Sequence, residues 1–178
     1  MSKQQYLVVT LNAAQTHAVV ADFIHACATT ECNIIEMRMI GMGSEHIVNA
    51  HVCGDWSAIA KLEGQLEKLE EKTEIKMSIT RTEPQELAKG VLPYMVHVTS
   101  QDGTNMVQLV SAFFSHRDYL ILDMTVARHM AAQTQTVMQS LNMTLFIPLE
   151  TPVADFREAF IVFCDEHNFD AIFEPDRT

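Results

Sequence analysis

The chain carries one pattern twice. YLVVTLNAAQTHAVV, from Tyr6, lies over YMVHVTSQDGTNMVQ, from Tyr94, at an offset of 88 residues. Each segment opens with an apolar, β-branched run, crosses a short polar stretch and enters apolar residues at helical spacing, so each reads strand, turn, helix. Past the helices, Ile34-Ile35-Glu36-Met37 recurs as Ile121-Leu122-Asp123-Met124 at an offset of 87. A unit repeated at this length supplies its own core, which divides the 178 residues into two small domains of like fold.

The rest of each copy follows the same order. In the first, IIEMRMIGMG and EHIVNAHVCGD read as a hairpin with Gly41 and Gly43 at its turn. WSAIAKLEGQLEKLEEK then sets Ile59, Leu62, Leu66 and Leu69 on one helical stripe beneath a Glu/Lys face, and EIKMSITRT alternates Ile75, Met77 and Ile79 as a half-buried strand. In the second, LILDMTVARHM and TVMQSLNMTLFIPL are strands joined through Ala131-Ala132-Gln133. Thr151 is placed to cap a helix with Pro152 at its first position, and Val153, Phe156, Phe160, Phe163 and His167 form that helix's stripe. FDAIFEP closes the copy as a strand.

Each half therefore reads β-α-β-β-α-β. The expected fold is α+β: two tandem ferredoxin-like domains, each a four-stranded antiparallel sheet with two helices on one face. The domains span 1–83 and 92–178, with 84–91 as a Pro/Gly-punctuated linker. A sheet covered on one face keeps an open face and open edges, so the halves pack together or the chain forms a homo-oligomer.

Composition narrows the function. Twelve basic against 23 acidic residues give a net charge of −11, which repels nucleic acid backbones and anionic lipid heads, so direct nucleic acid binding and membrane association are not expected. No apolar run approaches the ~20 residues that cross a bilayer, and the opening residues lack an export signal, so the chain reads as cytoplasmic. Cys27, Cys32, Cys53 and Cys164 match no zinc spacing, and without export they read as buried thiols. His46 and His51 fall on opposite faces of one strand, and His51 with Cys53 makes only half a metal site. No phosphate loop or Ser-His-Asp set is present. The expectation is no metal, no cofactor and no catalysis.

Three segments carry a family resemblance: YLVVTL, CNIIEMRM after the first helix, and DGTNMVQLVSAFFSHRDYLILDMTVARH in the second copy. On these the sequence resembles ACT domains, the βαββαβ regulatory modules that often bind amino acids, and the resemblance covers nearly the whole chain. A tandem pair with almost nothing else is similar to repressor-type transcriptional regulators of the glycine cleavage genes. The resemblance implies a regulator without a DNA-binding element, acting on a transcription activator protein and responsive to glycine or another small amino acid. The alternative is an amino-acid-sensing module that acts on a metabolic enzyme.

Many ACT domains carry Asp-Arg-Pro-Gly at the first strand-to-helix turn. Here the first copy has Gln15-Thr16-His17-Ala18, and the second has Asp102-Gly103-Thr104-Asn105. A helix start presents unpaired amides and the positive end of the dipole, which suits a carboxylate, and glycine lets a ligand approach closely. Gln15, Thr16 and His17 form a ligand turn or a simple cap. Asp102, Gly103, Thr104 and Asn105 form the better candidate, with Asp102 either receiving an ammonium group or capping the helix.

Overall fold

A computed structural model describes residues 4–14, 17–73, 75–84, 90–117 and 119–176. The chain divides into two compact units, Met1–Glu86 and Leu87–Thr178. Of the expected linker, 85–89 lie outside the described residues.

The first unit runs β1 (Gln5–Ala13), α1 (His17–Thr29), β2 (Asn33–Met42), β3 (Glu45–Gly54), α2 (Trp56–Lys72) and β4 (Lys76–Thr82). Its sheet has the order β2-β3-β1-β4, with every pairing antiparallel. The second runs β5 (Val91–Gln101), α3 (Met106–Ser115), β6 (Leu120–Met130), β7 (Val137–Pro148), α4 (Val153–Glu166) and β8 (Asp170–Pro175), with the order β6-β7-β5-β8. Both are ferredoxin-like, so the repeat read from the sequence is a repeat of fold.

Period-two alternation decides which strand residues reach the helices. Leu7, Val9 and Leu11 of β1 are at most 1% exposed, whereas Val8 between them is 38% exposed. They pack with Phe23 of α1 and with Ile59, Leu62 and Leu66 of α2. In the second unit Val96, Val98, Leu141 and Leu145 meet Phe114, Phe160 and Phe173. Each such side chain contributes about 1.5–3 kcal/mol by leaving water, so the two cores account for most of the favourable side of folding. Asp55 starts α2 sharply, its Oδ1 accepting the Ala58 N–H at 2.8 Å.

The Ile-Ile-Glu-Met echo has a structural meaning. Register slips between Ile34 and Glu36 in β2 and between Ile121 and Asp123 in β6. A β-bulge thus stands at the same place in both copies, turning Ile35 and Leu122 outward at 51% and 45% exposure.

The structure corrects three expectations. Gly41 lies in the ladder opposite His46, and Gly43 alone, at φ +63°, takes the hairpin turn. Thr151 does not cap α4: Pro152 occupies the cap position, where it has no side-chain donor or acceptor to offer, and its carbonyl accepts the Phe156 N–H at 3.0 Å. Cys164 joins Phe156 and Phe160 on the buried stripe, while Phe163 is half-buried with its ring 4.8 Å from that of Phe113. Methionines at alternating strand positions suit an ordinary core or an adaptable docking surface; Met37 packs against the core, whereas Met39, Met42, Met124 and Met130 are 45–60% exposed. The exposed four stand on β2 or β6, the sheet edges, which have a strand neighbour on one side only.

Candidate functional site

The second-copy turn is built by the end of β5. Ser100 is the last inward residue of that strand, only 2% exposed, and its hydroxyl meets the Thr104 hydroxyl at 2.8 Å. Thr104 also donates to the Gln101 carbonyl at 3.0 Å, which folds the turn back on the strand. Between them the Asp102 N–H donates to the Val137 carbonyl at 3.0 Å, tying the turn to the start of β7. Gly103 has φ +89°, a conformation that side chains with a Cβ resist. Asn105 is left-handed at φ 55°, a state its short amide tolerates.

Asp102 does not cap the helix. Its carboxylate pairs with the guanidinium of Arg128 on β6, the side chains being 31% and 64% exposed respectively. The helix begins later than expected, at Met106, and Asn105 at the cap position makes no side-chain capping bond. The amides that open α3 therefore lack a side-chain acceptor at the cap. A carboxylate is the complement of such a group, through both the free donors and the dipole.

Beside this turn an open cleft of about 460 Å³ is lined by Ser100, Gln101, Thr104, Met138, His167, Asn168 and Asp170. His167 follows α4, its Nδ1 2.8 Å from the Phe163 carbonyl and its ring against Phe163 and Phe169. Asp170 opens β8 opposite Thr99. The cleft therefore combines a carboxylate, two side-chain amides, two hydroxyls and an imidazole with one thioether, a set suited to a small zwitterion. Reading the sequence missed His167, Asn168 and Asp170 as neighbours of the turn. They come from the far end of the copy, and only the β5–β8 pairing brings them alongside.

In the first copy, Gln15 and Thr16 lie outside the described residues, and His17 is the first residue of α1. Next to that turn Ala13 pairs with His46 and Asn12 with Ile47. The Asn12 Oδ1 and His46 Nδ1 are buried atoms without a hydrogen-bond partner among the described residues. His51 stands on the other face from His46, against the Tyr6 ring at 5.7 Å between centroids. Cys53 shares the His51 face, and its sulfur accepts from Gln4 Nε2 at 3.0 Å. Among the described residues, no group of three or more His, Cys, Asp or Glu side chains is placed to hold a metal. No described helix is long and apolar enough to cross a membrane.

The four thiols are buried, and no disulfide joins them. Burial pushes Cys27 and Cys164 up to about 12, with Cys32 adding to the first and Asp165 to the second. Thiols held protonated in this way are poor nucleophiles.

No family model matches the chain. Over 168 residues, 94% of this chain and 88% of the relative, the sequence is 22% identical to the glycine cleavage system transcriptional repressor of Escherichia coli strain K12, and equally to that of Shigella flexneri. A crystal structure provisionally assigned as such a repressor superposes with a TM-score of 0.72 at 18% identity, covering 99% of this chain and all of that one. An unidentified protein from Galdieria sulphuraria superposes at 0.76 and 17% identity, over 98% and 99% of the two chains. The structural likenesses establish the shared tandem fold, and the sequence likeness to the repressors runs through 94% of the chain.

Proposed function

We propose that this chain is a repressor-type transcriptional regulator of the glycine cleavage system. The observation that carries this is the end-to-end likeness to the named repressors, spanning both copies of the repeat. The regulator acts through a protein partner, a transcription activator, because a net charge of −11 opposes contact with DNA. The proposed division of the chain is into domains 1–83 and 92–178 joined by 84–91.

The effector is glycine or another small amino acid, held at the second-copy turn. Its carboxylate takes the uncapped amides at the start of α3 and its ammonium takes Asp102 or Asp170, with Gly103, Thr104 and Asn105 shaping the approach. Gln15, Thr16 and His17 form the weaker counterpart in the first copy. Effector binding shifts partner affinity only by as much as it binds the two states differently.

Calorimetric titration with glycine, alone and in the presence of the activator, tests both parts. Partner affinity should change with glycine; identical affinity with and without it removes the effector role. Co-purification from cells tests the regulatory class: recovery of a metabolic enzyme without a transcription factor would favour a module acting on that enzyme.

A further inference from the structure

The two copies differ where their helices meet. The helix residues buried in each core set the alignment: Val19, Phe23 and Cys27 of α1 match Met106, Val110 and Phe114 of α3 at an offset of 87, and Ala58, Leu62 and Leu66 of α2 match Phe156, Phe160 and Cys164 of α4 at an offset of 98. Ala26 then stands where the second unit has Phe113, and Gln65 where it has Phe163. The rings of Phe113 and Phe163 lie 4.8 Å apart and close the seam between α3 and α4, with the Arg117 guanidinium 3.8 Å from the centre of the Phe113 ring. Alanine and glutamine leave the same seam open in the first unit, as a groove of about 360 Å³ between α1 and α2.

The groove is apolar at its base and cationic along its rim. Ala26 is buried and Leu69 packs against the core, while His25, Lys68 and Lys72 stand around them with the single acid Asp22. Lys68 and Lys72 lie one turn apart on α2 and, among the described residues, take part in no ion pair. Two acids of that helix are turned towards β4 instead: Glu63 pairs with Arg81, and the Glu70 Oε1 accepts the Met77 N–H at 2.9 Å. In the second unit Glu166 matches Lys68 and Ala112 matches His25, so the cationic rim belongs to the first copy.

Shape and charge together indicate an occupant. A seam that lacks two aromatic rings fits an aromatic side chain, which removes its own apolar surface and that of Ala26 and Leu69 from water. Two unpaired lysines and a histidine beside it complement carboxylates. On a chain of net charge −11, an acidic partner is repelled by most of the surface and attracted here, so the same charges that permit docking also fix its place. We infer that the α1–α2 groove of the first unit docks an acidic segment of a partner protein, anchored by one aromatic side chain of that segment. This is independent of the regulatory reading, because it does not depend on which process the partner serves.

An array of synthetic peptides tests it on the full chain: a central Phe, Trp, Tyr or Ala is flanked by Glu, Gln or Lys, and fluorescence anisotropy gives the affinities of the peptides that bind. Binding should need both the aromatic centre and the glutamate flanks, and should weaken as salt is raised. Lys68→Glu with Lys72→Glu should weaken it roughly tenfold, and Gln65→Phe, which narrows the groove as Phe163 does, by a similar factor. These three side chains are exposed, so folding should be unaffected, and circular dichroism checks it. Ala26→Phe with Gln65→Phe rebuilds the closure of the second unit and should abolish binding. No binding by the natural chain, a preference for an alanine centre or for Gln or Lys flanks, or equal affinity in the lysine variant overturns the inference. A second copy as the occupant would appear in sedimentation equilibrium as self-association lost in the lysine variant, and would overturn it as well.

Discussion

Asp102 and Arg128 are joined by an ion pair that ties the strand-to-helix turn of the second unit to its edge strand β6. The carboxylate proposed to receive an effector's ammonium is thus already occupied by a guanidinium, and the two cations compete. Asp102→Asn should weaken glycine binding by roughly tenfold, since a hydrogen bond to a charged group is worth about 1.5–3 kcal/mol and tenfold is 1.4. Arg128→Gln should strengthen it, because the competitor is gone. Calorimetry reads both. In a glycine cleavage reporter strain, Gln15→Ala and His17→Ala should disturb the glycine response less than Asp102→Asn. The reverse ranking would move the site to the first copy. Thermal stability should change by less than about 1 kcal/mol in Arg128→Gln, because both partners are partly exposed to solvent.

Two glycines should respond oppositely to alanine although an added Cβ meets nothing within 4 Å at either. Gly103 has φ +89°, so Gly103→Ala strains the turn and should cost about 1 kcal/mol or more. Gly64 lies inside α2, where Gly64→Ala should stabilise by about 0.5–1 kcal/mol through a stiffer unfolded chain. Urea unfolding midpoints at constant slope decide the signs.

Loss of the α2 cap is a local test of the first unit. Asp55→Ala frees the Ala58 N–H and should cost about 1 kcal/mol, whereas Asp55→Ser, which keeps an acceptor, should cost little. Denaturant melts of the two variants would separate a capping role from a charge effect.

All four thiols should resist reagents in the native protein at pH 8 and react together once it is unfolded, a count that a chromogenic disulfide reagent provides. The pH dependence has a definite sign. Cys27 and Cys164 lose their protons near 9 when unfolded but only near 12 when buried. Below pH 9 both states are protonated and stability is unaffected. Between about 9 and 12 the unfolded chain releases protons that the folded chain retains, so melting temperature should fall as pH rises through that window. Replacing both cysteines by alanine should flatten this fall, at the expense of a lower starting stability.

The two-unit architecture was legible because a duplicated pattern is a local property: strand alternation and the α2 stripe of Ile59, Leu62 and Leu66 depend on residues a few positions apart. Helix starts were less legible. From the sequence Asp102 could cap the helix or receive an ammonium group, but an arginine 26 residues later holds it, and α3 opens at Met106 with no side-chain cap from Asn105. Thr151 failed as a cap for a related reason, since Pro152 took the cap position.

By itself the amino-acid sequence determined the periods, and through them the repeated βαββαβ order and the residues that face each core, because burial follows from spacing along one strand or helix. Tertiary structure alone decided what surrounds the turn. It brought His167, Asn168 and Asp170 beside Thr104, paired Arg128 with Asp102, and left Met39 and Met124 at uncovered edges. Those relationships depend on which strands become neighbours, and strand order is settled by packing over the whole unit.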